Sequence, residues 1–416
     1  MRNGHRPFIK HIFLQLQKIS ILCVASMLML SAFGCGKKQG TGLVDVEYYP
    51  NGKIKAESFY EEDEYHVVMR RYFENGKLES VWRYKFNWLD GPFERYYKNG
   101  QLHSQGQYRH NRPVGLIRGY YENGALWREE NFLEGGLREG SAKVFYENGK
   151  PKGDGQFTAG NGSYTYYFEN GGISRIEQYK DGKVDGPAKS YYEDGKIMVA
   201  ENYLSGRPNG EFKFLTPEGK IVAIRNYKDG QLDGTLTEYY PEGIVKKTSE
   251  FRDDALSGIS KEFSLSGVLT SEINYLNDQF HGNFREFYET GALRVDFNYS
   301  HNKANGICRG YGKDGILLWE RNYIDGVLDG MSREYYPSGE KWYELTYDKG
   351  RVVTKIEYTR EGAIVLDHNF TTKEKDKAAE EIFHYQTDHE KSIQTVESIQ
   401  KGKPEPVKVE NLKPEG

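Results

Sequence analysis

One glycine-centred unit recurs along this chain at a nearly constant interval, and that recurrence limits the fold more than any other feature. Taking the glycine of Tyr96-Tyr97-Lys98-Asn99-Gly100 as a marker, the series runs Gly52, Gly76, Gly100, Gly124, Gly149, Gly171, Gly195, Gly219, Gly243, Gly267, Gly291, Gly315, Gly339 and Gly362. The step is 24 residues except for one of 25, one of 22 and one of 23. Self-similarity at such a period marks a repeat array, in which each unit buries its apolar face only by stacking on its neighbours.

Each unit follows one internal grammar. Four residues before the marker, thirteen of the fourteen positions are aromatic, Leu215 being the exception, and eight residues after it all fourteen are, from Tyr60 to Phe370. Two residues after the marker stands an aliphatic in many units, such as Ile54, Leu78, Leu102, Ile173, Leu269 and Leu293. Asn-Gly at Asn51-Gly52, Asn75-Gly76, Asn99-Gly100 and Asn123-Gly124 predicts a two-residue type I′ turn, because that turn needs positive φ at both central residues. Tyr, Phe, Ile and Val on either side favour half-buried strands. In a regular strand the positions two and eight after the glycine share a face.

A second glycine follows most markers by about fifteen residues, at Gly91, Gly115, Gly140, Gly162, Gly186, Gly210, Gly234, Gly258, Gly282, Gly306 and Gly330. It reads as the return turn into the next hairpin. Val67 and Thr354 replace it near the ends, so the terminal units read as caps. The pattern therefore predicts an all-β chain: an elongated, twisted antiparallel β-hairpin array of about 14 repeats over residues 43–370. At ~4.8 Å per strand such an array is roughly 130 Å long, and a sheet that wide must twist or coil.

The ends follow other rules. Residues 1–34 combine Arg2, Arg6, Lys10 and Lys18 with the apolar run Ile19–Phe33, which reads as a secretory signal peptide. The run falls short of the roughly 20 apolar residues of a membrane span. Residues 35–42 read as a short tether. From 371 to 400, Ile382, Tyr385, His389, Ile393, Val396 and Ile399 recur at helical spacing. That predicts a short amphipathic helix able to cover the edge of the last hairpin. Residues 401–416 are Pro-rich and charged, and read as disordered.

Charge and reactive residues narrow the function. Without the leader's basic residues the chain has 53 Lys and Arg against 61 Asp and Glu, a net of −8 with both signs interspersed. Nucleic acid is not the expected ligand, because phosphate binding calls for a basic stripe. Of three cysteines, Cys23 lies in the leader and Cys35 at its end, leaving Cys308 as a buried structural thiol. His66, His103, His110, His281 and His301 occupy different repeat phases without zinc-binding spacing. There is no nucleophile elbow, Walker loop or dinucleotide fingerprint. The expectation is a non-enzyme with no catalytic residue, cofactor or metal. The aromatic ladders read as core packing. Glycan stacking is the alternative, and it leans on tryptophan, of which there are Trp82, Trp88, Trp127, Trp319 and Trp342 in no shared slot.

The unit YYxNGxLxxxxxYxxGxxxG resembles the MORN-repeat variant of bacterial YwqK-type antitoxin proteins, over about residues 43–370. The resemblance implies an antiparallel meander with one hairpin per repeat, used for interaction. Copies at Gly219, Gly267 and Gly315 depart from it, with Thr216, Ser264 and Gly312 in place of the second aromatic. Ser31–Cys35, SAFGC, resembles the lipobox of bacterial lipoproteins, which implies a lipid on Cys35 as the first mature residue. Together they lead us to expect an exported lipoprotein of the bacterial cell envelope, held to the membrane at Cys35. It would act on an unidentified protein partner as a scaffold or antitoxin-like neutralising protein. The alternative is a module that binds cell-wall glycan or phospholipid.

Overall fold

Between the tip of one hairpin and the next, the repeat grammar resolves into two unlike turns. The computed structural model describes residues 42–61 and 63–370. Across them runs one open antiparallel sheet of 34 strands, hairpin paired to hairpin in chain order, with no helix among the described residues. The extensive contacts join strands that neighbour each other in the chain, so the sheet is a single layer built by local pairing. The signal peptide, nearly all of the tether, the helix expected at 371–400 and the tail at 401–416 lie outside the described residues.

The marker glycine closes a three-residue loop, which corrects the expected type I′ turn. The Gly100 amide donates to the Tyr97 carbonyl at 2.8 Å, and the Tyr97 amide to that of Gln101 at 2.8 Å. Gly100 has φ +96°, while Asn99 is absent from the positive-φ region. This is a type I turn followed by a left-handed glycine. Asn99 serves otherwise: its Oδ1 accepts the Gln101 amide at 2.8 Å and so locks the loop from its own side chain. Beyond the loop the register slips, with Tyr96 opposite Leu102 but Arg95 opposite Ser104. His103 is the extra residue of a β-bulge. The bulge also breaks the parity expected between positions two and eight, because the strand is not regular there.

The type I′ turns lie at the opposite rim, about ten residues after most markers; after Gly124 a longer loop, closed by Leu133 N to Leu137 O at 2.8 Å, takes their place. Phe86 and Asn87, with φ +49° and +65°, join Lys85 to its partner Trp88. His110-Asn111, Asn277-Asp278 and His301-Asn302 do the same in their units. The second glycine is therefore not the return turn. Asp90 separates the strands Trp88–Leu89 and Gly91–Tyr96; Gly91, which opens the second, has φ +122°, and a Cβ there would stand 3.0 Å from Arg83 Cβ. Only glycine fits a bulge in which both the φ and the close approach exclude a side chain.

Both rims are stitched from unit to unit. At the return rim, second turn residues donate to the preceding unit: Asn111 N to Leu89 O at 2.9 Å, Gly206 N to Val184 O at 2.7 Å, Gly326 N to Ala304 O at 2.8 Å. At the marker rim the tyrosine three residues before the glycine reaches forward. Tyr97 Oη donates to Tyr120 O at 2.9 Å, Tyr121 to Phe145 O at 2.8 Å and Tyr288 to Tyr311 O at 2.8 Å. Thr216, Ser264 and Gly312 hold this slot in alternate later units; Thr216 and Ser264 instead bond to their own loops.

The most buried column is one the sequence reading did not single out. Seven residues before ten of the fourteen markers stand Phe93, Ile117, Ala142, Tyr164, Ala188, Phe212, Ser260, Phe284, Cys308 and Ser332, all buried, while Asp45, Met69, Leu236 and Lys355 hold the slot in the others and are less buried. Phe284 and Cys308 are 0% exposed. Rings eight residues after a marker pack on this column, as Tyr108 does on Phe93 at 5.2 Å and Tyr203 on Phe212 at 5.6 Å. The column alternates bulky and small residues without a fixed chemistry, so no residue type announces it.

Candidate interaction surface

Alternation along each strand fixes what the array can offer a partner. Phe93 is buried, so its neighbour Glu94 faces away, and Tyr96, two residues on, shares that outer side. Tyr96 Oη donates to Glu94 at 2.7 Å, Tyr72 Oη to Glu57 at 2.5 Å, Tyr167 Oη to Asp154 at 2.6 Å and Tyr358 Oη to Glu344 at 2.7 Å. The ladder four residues before the marker is thus an outer, half-exposed row braced on carboxylates. That corrects its reading as core packing. Burial and the Glu94 carboxylate together push the Tyr96 phenol up to about 12.

The outer face also carries a charge zipper. Its register sequence runs Lys261, Glu272, Arg285, Asp296, Arg309, Glu320, Arg333, Glu344, alternating in sign at every strand. Arg285 pairs with Asp296 at 3.2 Å, Arg309 with Glu320 at 2.8 Å, and Arg333 with Glu320 at 3.0 Å and Glu344 at 3.1 Å. Burial pushes the Glu344 carboxyl up, but hydrogen bonds from Tyr358, Lys341 and Arg333 outweigh it and hold the group at about 2. The signal was readable at six residues before and five after the markers, where basic and acidic residues take turns.

Charge also enters the inner face. Glu130, 5% exposed, meets Arg138 at 2.9 Å; Arg175 bridges Glu177 at 2.7 Å and Glu201 at 2.5 Å; Arg321, 5% exposed, holds Glu334 at 3.0 Å. Each buried ion has its counter-ion, as a low-dielectric site requires.

The residues picked out from sequence fall as follows. The fourteen marker glycines, Gly52 to Gly362, all have positive φ and line one rim. Cys35 lies outside the described residues. Cys308 is buried, and that burial pushes its thiol up to about 11. His281 and His301, twenty residues apart, meet edge to face with ring centroids 5.0 Å apart, a pairing that spacing did not reveal. Among the described residues no group of three or more His, Cys, Asp or Glu is gathered as a metal site, and no helix is long and apolar enough to cross a membrane.

These features define a tandem β-hairpin repeat protein whose outer face and rims are polar and periodic. The MORN repeat variant model matches twelve segments, from 46–62 through 280–301 and again at 328–349, together more than half of the chain. The chain belongs to the MORN repeat variant family. MORN repeats generally serve as modules for interaction with proteins or membranes. No curated protein matches the sequence. Among solved structures, the Photorhabdus luminescens Tc holotoxin pore aligns with 78% of this chain and 20% of its own at 13% identity, with a TM-score of 0.17. A TcdB2-TccC3-Cdc42 crystal structure aligns with 79% and 20% at 12% identity and TM-score 0.16. A eukaryotic initiation factor aligns with 80% and 89% at 10% identity and TM-score 0.14. The chain spans about a fifth of the length of the first two. Likeness at this level carries no argument about activity.

Proposed function

We propose that this chain is an exported, non-enzymatic scaffold, tethered to the bacterial envelope by a lipid on Cys35, whose repeat surface binds another protein. The observation that carries the reading is the outer face itself, where aromatic rings recur from unit to unit and paired charges alternate at strand spacing from Lys261 to Glu344. Polar, periodic, half-exposed groups of this kind supply specificity and orientation to a protein partner. The antitoxin-like role is the finer form of the same reading, in which the partner is a discrete toxin.

The test is a crosslinked affinity capture from native membranes with a tag after Gly416, with Cys35→Ala as control. One stoichiometric protein is the expected product, and Cys35→Ala is expected to release the chain from membranes and abolish fatty-acid labelling. Retention of the mature chain on purified peptidoglycan or liposomes, with no protein captured, would transfer the assignment to a glycan or phospholipid module.

A further inference from the structure

Rim tyrosines of this array take cations, and one of them shows how. Arg360, two residues before its marker glycine, stands over the Tyr336 ring of the preceding unit, with Cζ 5.3 Å from the centroid. The Tyr336 hydroxyl is meanwhile fixed to Tyr358 O at 3.0 Å, so the ring is held as a platform. On its own side of the rim, Tyr146 takes Lys152 Nζ at 5.4 Å. A guanidinium over a ring face is a cation–π contact, favoured by the ring quadrupole.

The same platform recurs earlier in the chain with the opposite charge beside it. Tyr97, Tyr121 and Tyr146 are pinned by their hydroxyls to Tyr120, Phe145 and Tyr167 carbonyls at 2.9, 2.8 and 2.7 Å. In the slot that Arg360 fills stand Glu122, Glu147 and Glu169, all exposed. Tyr121, Tyr146, Glu147, Asn148 and Glu169 line one open groove. Of the nearby cations, Lys152 meets the Tyr146 ring from that tyrosine's own hairpin, Lys150 Nζ donates to the Glu169 carbonyl at 3.1 Å, and Lys196 pairs with Asp194 at 3.0 Å. Burial and the neighbouring Glu169 raise the Tyr146 phenol, in keeping with a carboxylate close to the ring.

We propose that the marker rim from Tyr97 to Glu169 is a docking strip for an extended basic segment of a partner protein, its Lys or Arg side chains seated on the tyrosine rings beside Glu122, Glu147 and Glu169. This rests on the scaffold reading above and names the chemistry of its partner. Equivalent platforms lie two strands apart, about 10 Å. A segment in the polyproline II conformation rises about 3.1 Å per residue with three residues per turn, so every third side chain faces the rim and meets the next platform. The carboxylates also exclude the anionic headgroups that a basic surface would attract.

The test uses the mature full-length chain and a fluorescent peptide with lysine at every third position, followed by anisotropy. The expected result is saturable binding, weakened about tenfold by Glu122→Gln, Glu147→Gln and Glu169→Gln together, since each exposed pair contributes only a fraction of that change. Those substitutions leave the tyrosine hydroxyl bonds in place, and unchanged melting confirms that folding is intact. A peptide of equal composition with its lysines in one block is expected to bind more weakly. No peptide binding, equal binding by the triple variant, or binding of phosphatidylcholine vesicles in place of peptide overturns the assignment. If membrane capture still returns one protein partner, the strip falls while the scaffold reading stands.

Discussion

Two stretches of the array share one backbone and differ in what they bury. Around Arg138 and Arg175 the inner face is ionic, with Glu130, Glu177 and Glu201 drawn in against two guanidinium groups. Around Phe284 it is largely apolar, where Ile273, Phe280, Val295, Phe297, Tyr299 and Cys308 form one buried cluster, with the Glu286–Arg294 ion pair beside it. The marker loop and its bulge are the same in both, Tyr191 standing opposite Ile197 just as Phe287 stands opposite Leu293, while the return turns differ: the ionic stretch has a longer loop between Leu133 and Leu137 and an unbroken register from Gly153 to Thr158. The comparison teaches that turns and bulges specify this fold, while the inner slots accept either chemistry provided it is satisfied.

The sharpest way to break that symmetry is to damage each core in its own currency. Phe284→Ala is expected to cost about 3–5 kcal/mol, because a 0% exposed ring leaves a cavity. Arg175→Met is expected to cost about 3 kcal/mol, since Glu177 and Glu201 then face each other without their cation. Denaturant unfolding of the two variants checks both, and a negligible loss in either would place that core outside the stability of the array. Gly100→Val attacks what the regions share. Its φ of +96° resists a β-branched residue, and a loss of about 2 kcal/mol is expected by thermal melting.

Smaller changes sharpen the contrast between stapled and unstapled units. Tyr121→Phe removes the bond to Phe145 O and is expected to cost about 1 kcal/mol, read by the same unfolding experiment. Thr216 marks a unit that lacks this staple, so a substitution there is expected to leave the unit-to-unit bonds unchanged and to remove only the bond within its own loop. The smallest effect concerns acid. Glu344 is held at about 2, so its stabilising contribution is present above its ordinary value of 4.5 and is lost as pH falls through about 2. The protection of amides in the strand Ile364–Asn369, taken relative to their intrinsic exchange rates at each pH, should therefore fall across that window in the wild type. Glu344→Gln should flatten the dependence, and an unaltered profile would remove Glu344 from the zipper.

Much of this was legible in the sequence, because a hairpin array repeats its own evidence. The glycine period gave the meander and its boundaries, and fourteen aligned copies made the aromatic slots unmistakable. The turn types were misassigned because Asn-Gly suits both a type I′ turn and a type I turn closed by a left-handed glycine; the Asn99 side chain decides between them through a bond that spacing does not carry. The column of Phe93, Ala142 and Cys308 stayed hidden because its residues share burial and not chemistry. Nothing in the sequence separates Arg138 and Arg175 from surface charges; the pairing of the strands turns them inward.

The central claim, that turns and bulges specify the fold while the inner slots are interchangeable, is tested most directly by hydrogen exchange on one variant. Arg175→Met, Glu177→Leu and Glu201→Leu together convert the ionic site into an apolar one of similar volume. The account predicts that protection across the strands Ile173–Lys180 and Ile197–Leu204 is retained or increased, with the Phe284 region unchanged. Loss of protection through both regions would contradict it, and would mean that the buried ions themselves specify the fold.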